Sequence, residues 1–101
     1  MTMAYVESMQ EVDWSKRGLY MWNRHGVRPE WADEALRDAN RLVLEPDPAS
    51  TSGRSVRTIG WSASVRRVLT VITVEDQGIV YGVNGWAANR HDRRLYEGAR
   101  R

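Results

Sequence analysis

The feature that most constrains the fold is a change of sequence pattern, from helical spacing to extended strands. Residues 66–74 are dense in β-branched side chains, which fit the pleated surface of a sheet. Asp76-Gln77-Gly78 then predicts a hairpin turn, with residues 79–83 as the returning strand. Residues 55–61 alternate in character and predict another strand, and residues 42–44 predict a short one. We therefore expect an antiparallel meander of three or four strands.

A first helix is predicted over residues 14–24, before these strands. Ser15 is a candidate N-cap, and Leu19 and Trp22 are expected to face inward. Gly26 stands where a C-capping glycine belongs, because glycine adopts the left-handed conformation that ends many helices.

A second helix is predicted to begin at Pro29, since the missing N–H of proline costs nothing at the first helical position. Trp31, Ala35 and Ala39 recur at four-residue spacing and form an apolar stripe. Tryptophan is expected to supply much of the core volume, because the chain has 5 tryptophans and no phenylalanine.

A last helix is predicted to run to about Tyr96. Asn89 is its candidate N-cap, with Asp92 three residues later in a box-like pair, and Leu95 or Tyr96 is expected to be buried. Helices followed by a run of strands favour an α+β fold. The expected architecture is two N-terminal helices, a three- to four-stranded antiparallel meander and a C-terminal helix.

Length and composition limit the domain organisation. A chain of 101 residues with 42% hydrophobic residues fits one packed domain, so residues 1–12 are expected to form an N-terminal arm and residues 13–101 a single domain. The absence of cysteine favours a reducing compartment. The longest apolar stretch, around residues 68–74, is too short to cross a bilayer, and the acidic start lacks a secretory signal. A cytoplasmic protein without membrane contact is expected.

The positive charge of the chain is almost entirely arginine. Lys16 is the single lysine among 15 basic residues, and the formal net charge is +2. Arginine binds phosphates and carboxylates through two parallel hydrogen bonds and stacks on bases, so a nucleic-acid or acidic protein partner is indicated. Genome composition alone can also produce an arginine-rich chain. Several of these arginines lie near the end of the sequence: Arg90, Arg93, Arg94, Arg100 and Arg101.

The sequence lacks the usual motifs of metal and cofactor chemistry. His25 and His91 are the only histidines and are far apart, no glycine-rich phosphate loop follows a strand, and no nucleophile elbow occurs. No metal or cofactor is expected. RNA cleavage remains open, because it needs only a base for the 2′-hydroxyl, positive charge at the phosphate and an acid for the leaving oxygen.

The residue types that this chemistry requires are all present. Candidate catalytic residues are Arg57 and Arg67 for the phosphate charge and His25 as acid or base. Each has a structural alternative: His25 as a helix-end residue bonded to a carbonyl, and the two arginines as solvated or ion-paired strand residues. Aromatic rings stack on unpaired bases, so the candidate RNA-binding residues include tryptophan and tyrosine as well as arginine: Arg54, Trp86, Arg90 and Tyr96.

A series of short motifs extends over roughly residues 14–97. Its segments are Trp14, Asn23-Arg24-His25-Gly26-Val27, Pro29-Glu30, Ala35, Gly53-Arg54, Arg57-Thr58-Ile59-Gly60, Arg67-Val68-Leu69-Thr70-Val71 and Asp92-Arg93-Arg94-Leu95-Tyr96. The order of these motifs resembles that of BrnT-type toxins from bacterial type II toxin–antitoxin systems.

The resemblance implies a RelE-like fold and a ribonuclease that inhibits translation without a metal. It also implies a small antitoxin that covers the toxin, with operator DNA bound only through the complex of the two proteins. Arg57 and Arg67 match strand arginines of the family, and His25 matches its helix-end histidine. Trp86 stands where the family has an arginine. A non-catalytic interaction protein, or operator-binding protein, on the same fold is therefore the alternative.

Overall fold

The computed structural model describes residues 11–99. Within that range the chain forms three helices and a five-stranded sheet. In chain order the elements are β1 (Val12–Asp13), α1 (Gly18–His25), α2 (Pro29–Leu36), β2 (Leu42–Leu44), β3 (Ser55–Ser62), β4 (Arg67–Asp76), β5 (Ile79–Ala87) and α3 (Arg90–Ala99).

The sheet has the strand order β1-β5-β4-β3-β2. Strands β2 to β5 form the predicted antiparallel meander. The expectation of a purely antiparallel sheet of three or four strands is wrong, because β1 adds a fifth strand that pairs in parallel with β5. Val12, assigned from the sequence to an N-terminal arm, is the first residue of β1, and residues 1–10 lie outside the described residues. Two strand residues are too few to produce a visible period.

The two faces of the sheet carry separate hydrophobic clusters. Met21, Ala35 and Val71 belong to the cluster that α1 and α2 form with the sheet, while Ile59 and Tyr96 belong to the cluster under α3. Successive strand residues point to opposite faces, which is why one strand serves both clusters. The sheet is thus covered by two helices on one side and by one helix on the other.

Helix α1 begins at Gly18, later than the sequence predicted. Ser15 does not cap it; its N–H and hydroxyl both donate to Oδ1 of Asp13, at 2.8 and 2.5 Å. These two hydrogen bonds hold the pKa of Asp13 below its ordinary value, and the bond from the hydroxyl has the larger effect. The predicted end is confirmed, because Gly26 has φ of 68° and donates its N–H to the carbonyl of Trp22.

The predicted inward face of α1 is wrong. Leu19 is 72% exposed and Trp22 is 40% exposed, whereas Gly18 and Met21 are buried. Gly18 approaches Pro29 so closely that a Cβ would lie 3.1 Å from its ring. The face of α1 that packs on the sheet is therefore formed by a small and a flexible residue, and the larger apolar side chains lie on the outside.

Helix α3 begins as the sequence predicted. The backbone N–H of Asp92 donates to Oδ1 of Asn89 at 2.8 Å, so Asn89 is the N-cap. The predicted return contact, from the Asp92 carboxylate to the N-cap, is wrong. This carboxylate instead accepts hydrogen bonds from Thr70 and Arg57 of the sheet. Tyr96, and not Leu95, is the buried residue of the helix.

Candidate functional site

Arg57 occupies the centre of a buried ionic network on the α3 side of the sheet. Its Nε donates to Oδ1 of Asp47 at 2.9 Å, and its Nη1 donates to Oδ2 of Asp92 at 2.8 Å. The two carboxylate side chains are 6% and 2% exposed, and the hydroxyl of Thr70 donates to the same Asp92 oxygen. The positive charge of Arg57 is therefore compensated inside the protein, and the contacts tie the loop after β2 and helix α3 to strand β3.

Trp86 lies between Arg57 and His25. Its ring centroid is 5.6 Å from that of His25, and the guanidinium carbon of Arg57 lies 5.9 Å from the Trp86 ring. Strand pairing sets Trp86 opposite Thr70, on the same face as the ionic network. The structure thus connects the helix-end histidine to the buried network through one half-buried indole.

His25 and Arg67 line one pocket of about 330 Å³. His25 reaches it because it is the last residue of α1, and Arg67 because it is the first residue of β4. Both side chains are exposed, and neither forms an ion pair with another residue in the range 11–99. The lining contains no carboxylate; its members are His25, Gly26, Val27, Trp31, Val65, Arg67, Leu69 and Ala87.

The pocket combines an imidazole, a guanidinium and an indole on an apolar floor. An uncompensated arginine attracts anions, and an imidazole can act as a general base or a general acid. The sequence did not single out Trp31 for this pocket, because its helical spacing is equally typical of a core residue. Tertiary packing alone shows that its ring serves both the hydrophobic cluster and the pocket.

The other candidate residues lie away from this pocket. Arg54 is exposed at the opposite end of the β3–β4 pair, where it donates to the carbonyl of Glu75 and lies 3.9 Å from a carboxylate oxygen of Asp76. Arg90 is on α3, across the sheet from the pocket, in a shallow depression shared with Arg93 and Arg94. The structure therefore places three candidate arginines, Arg67, Arg54 and Arg90, on three separate surfaces.

Tyr96, the last RNA-binding candidate, is buried under α3. Its side chain is 3% exposed, and its hydroxyl donates to Oδ2 of Asp38 at 2.6 Å. A buried ring offers little surface on which a base can stack, so this position does not favour the predicted RNA-binding role of Tyr96. Tyr96 instead fixes α3 against the segment that follows α2.

Among residues 11–99 no group of three or more histidine, aspartate or glutamate side chains is arranged to hold a metal ion. In the same range, no helix has the length and apolar content needed to span a bilayer.

Neither a protein-family model nor a curated protein matches the chain. The function is therefore inferred from the residues and their arrangement.

Proposed function

We propose that the protein is a ribonuclease toxin of a type II toxin–antitoxin system, which cleaves RNA in the cytoplasm without a metal ion and inhibits translation. The observation that carries the proposal is the pocket that His25 and the uncompensated Arg67 both line, with no carboxylate in the lining. Trp31 in the lining and Trp86 beside His25 provide aromatic rings for unpaired bases.

The reaction that these groups support is an attack of the RNA on its own backbone. The 2′-oxygen bonds to the adjacent phosphorus, and the bond from phosphorus to the 5′-oxygen breaks, which leaves a 2′,3′-cyclic phosphate and a 5′-hydroxyl. His25 accepts the proton of the 2′-hydroxyl and returns it to the departing 5′-oxygen, so the imidazole ends as it began. Arg67 stabilises the extra negative charge on the phosphate during the transfer.

Arg57 has a positioning role in this proposal. Its guanidinium is bonded to Asp47 and Asp92, so little of its charge is left for a phosphate. It supports the site through Trp86, whose ring lies beside both Arg57 and His25. This differs from the direct catalytic role expected from the sequence.

The toxin–antitoxin setting rests on the motif resemblance. In that setting the partners are RNA as substrate and a small antitoxin protein that covers the toxin, with operator DNA contacted only by the complex. The exposed arginines of α3, which include Arg90 and Arg94, offer a surface for an acidic antitoxin segment.

The alternative is a non-catalytic interaction protein on the same fold. Two observations favour it: Trp86 stands where the resembled family has an arginine, and Arg57 is neutralised by two carboxylates. Without a second uncompensated arginine at the phosphate, the protein would bind its partner without cleaving RNA.

The decisive experiment measures cleavage of a defined RNA by the purified protein in the presence of a chelator. We expect products that end in a 2′,3′-cyclic phosphate, and no cleavage of a substrate whose 2′-hydroxyls are replaced by hydrogen. The variants His25→Gln and Arg67→Ala should each lower the rate by about 100-fold or more. Inducible expression in a bacterium should arrest growth for the native chain and not for these variants.

Arg37→Ala is the matched control, because Arg37 is exposed at the end of α2 and does not line the pocket. It should cleave RNA at the native rate. An intact substrate after incubation with soluble, folded native protein would overturn the ribonuclease proposal. Retained binding of a co-expressed partner under those conditions would support the non-catalytic alternative.

A further inference from the structure

A cluster of aromatic rings and one arginine lies on the outside of α1 and α2, next to the pocket. The ring centroids of Trp22 and Trp31 are 6.2 Å apart in an edge-to-face arrangement. The guanidinium carbon of Arg28 lies 4.7 Å from the Trp22 ring and 5.7 Å from the Trp31 ring. These three residues form the Arg28 cluster. It is continuous with the pocket, because Trp31 belongs to both.

The cluster is exposed beyond what core packing requires. Trp22 is 40% exposed, and the neighbouring Leu19 is the most exposed large hydrophobic residue of the described chain. Arg28 itself is exposed and forms no ion pair within residues 11–99. Its guanidinium lies within cation–π distance of both indoles, and these contacts reduce the entropy that binding a ligand would otherwise remove.

We infer that the Arg28 cluster is a second binding site for single-stranded RNA, which holds the nucleotide next to the one in the pocket. A guanidinium that lies over an indole keeps an outer face on which a base can stack, and its N–H groups can bond a phosphate. Trp22 and Leu19 supply apolar surface for the same base and its sugar. The inference rests on the proposed function in one respect, namely that the ligand of the pocket is RNA.

The positive charge of this surface favours RNA over an apolar protein segment as the occupant of the Arg28 cluster. Within residues 11–99 Arg28 and Arg67 form no ion pair, Arg24 is exposed in the last turn of α1, and no carboxylate lines the pocket. A polyanion that carries one charge for each base can bond its phosphates to these arginines while its bases stack on the indoles.

The test is a binding titration with a fluorescent single-stranded octanucleotide that bears 2′-O-methyl groups, so that the protein cannot cleave it. The variants are Arg28→Ala and Trp22→Leu, with Arg37→Ala as the exposed-arginine control and Arg67→Ala as the pocket variant. We expect the two cluster variants each to weaken binding by about tenfold, the size of one lost base stack. Arg37→Ala should bind within about twofold of the native chain.

A second ligand distinguishes the contribution of base stacking from that of phosphate charge. An abasic octamer keeps every phosphate, and Trp22→Leu should bind it with nearly the same affinity as the native chain does. Thermal unfolding of each variant establishes that it is folded. Weaker binding in Arg67→Ala with native affinity in both cluster variants would overturn the inference, keep the pocket proposal and leave the cluster to a protein partner. No RNA binding by the native chain would overturn both.

Discussion

At the residue scale, burial and ion pairing decide whether the charge of an arginine such as Arg57 is available to a ligand. A strand arginine in a basic chain is typical of a phosphate site, but this one is 16% exposed and bonded to two buried carboxylates. A charge in the interior is tolerated only when its partners neutralise it, so removing one member leaves the others uncompensated. The same residue type at position 67, exposed and unpaired within residues 11–99, keeps its charge available to a ligand.

Arg57→Ala should therefore act on stability before it acts on chemistry. We expect a loss of about 3 kcal/mol in the free energy of unfolding, because Asp47 and Asp92 are left as buried, unpaired carboxylates. Arg54→Ala is the matched control, since its partner Asp76 is exposed and such pairs contribute less than about 1 kcal/mol. Urea denaturation measures both, and a cost below about 1 kcal/mol for Arg57→Ala would contradict the assignment.

Glu34 provides a test of a single carboxylate by pH. The hydroxyl and N–H of Ser64, followed by the hydroxyl of Ser62, donate to it and hold the pKa of Glu34 below its ordinary value of 4.5. A lowered folded pKa means that the stabilisation is complete above the unfolded pKa and disappears as the pH falls through the folded one.

The prediction compares Glu34→Gln with the native chain across this range. We expect the variant to be less stable by about 1 kcal/mol at neutral pH, with the difference shrinking at pH values below 4.5. Glu30→Gln removes a carboxylate from an exposed position of the same helix and is the matched control. A difference that stays constant from neutral to acid pH would show that the charge of Glu34 does not contribute.

At the element scale, the position of α2 depends on one glycine in strand β3. A Cβ added at Gly60 would lie 2.1 Å from the backbone oxygen of Ala35, much closer than real contacts. Helix α2 and strand β3 therefore pack backbone to backbone, and this contact helps to place Trp31, which lines the pocket. The pocket depends in this way on a residue outside it.

Gly60→Ala should separate these two elements. We expect a loss of about 3 kcal/mol in the free energy of unfolding, since the strand or the helix backbone must shift to admit the methyl group. Gly98→Ala is the control: nothing lies within 4 Å of its Cβ position in α3, and alanine favours a helix by up to about 1 kcal/mol. Native stability in Gly60→Ala, measured by thermal unfolding, would contradict the close packing.

At the scale of the whole molecule, the positive charge is divided between the two sides of the sheet. Arg28 and Arg67 lie on the side of α1 and α2, whereas Arg90 and Arg94 lie on α3. If RNA occupies the first side, its binding should respond to salt through the arginines of that side, such as Arg28 and Arg67. The second side then stays available for an acidic protein partner while RNA is bound.

The salt dependence of RNA binding tests this division. For single strands, each neutralised phosphate contributes about 0.7 to the slope of log affinity against log salt concentration. Arg67→Ala should lower the slope by about that amount, whereas Arg90→Ala should leave it unchanged. Titrations of the non-cleavable octanucleotide at several salt concentrations give both slopes. A smaller slope in Arg90→Ala would place RNA on the α3 side instead.

The sequence by itself determined the elements whose signals are local. The β-branched run that became β4, the glycine that ends α1 and the asparagine that caps α3 each act on backbone within a few residues of themselves, so composition and spacing were sufficient. The α+β class followed from the order of these elements. Strand β1 escaped prediction because two residues carry no period and pair with a strand far along the chain.

Only the tertiary structure decided which candidate side chains are available to a ligand. Tyr96 and Arg57 are typical RNA-binding residue types, yet one is buried against Asp38 and the other lies between two carboxylates. His25 and Arg67 line the same pocket although their positions in the sequence differ by 42 (67 minus 25). Burial and pairing depend on contacts between distant segments, and no local pattern of residues encodes them.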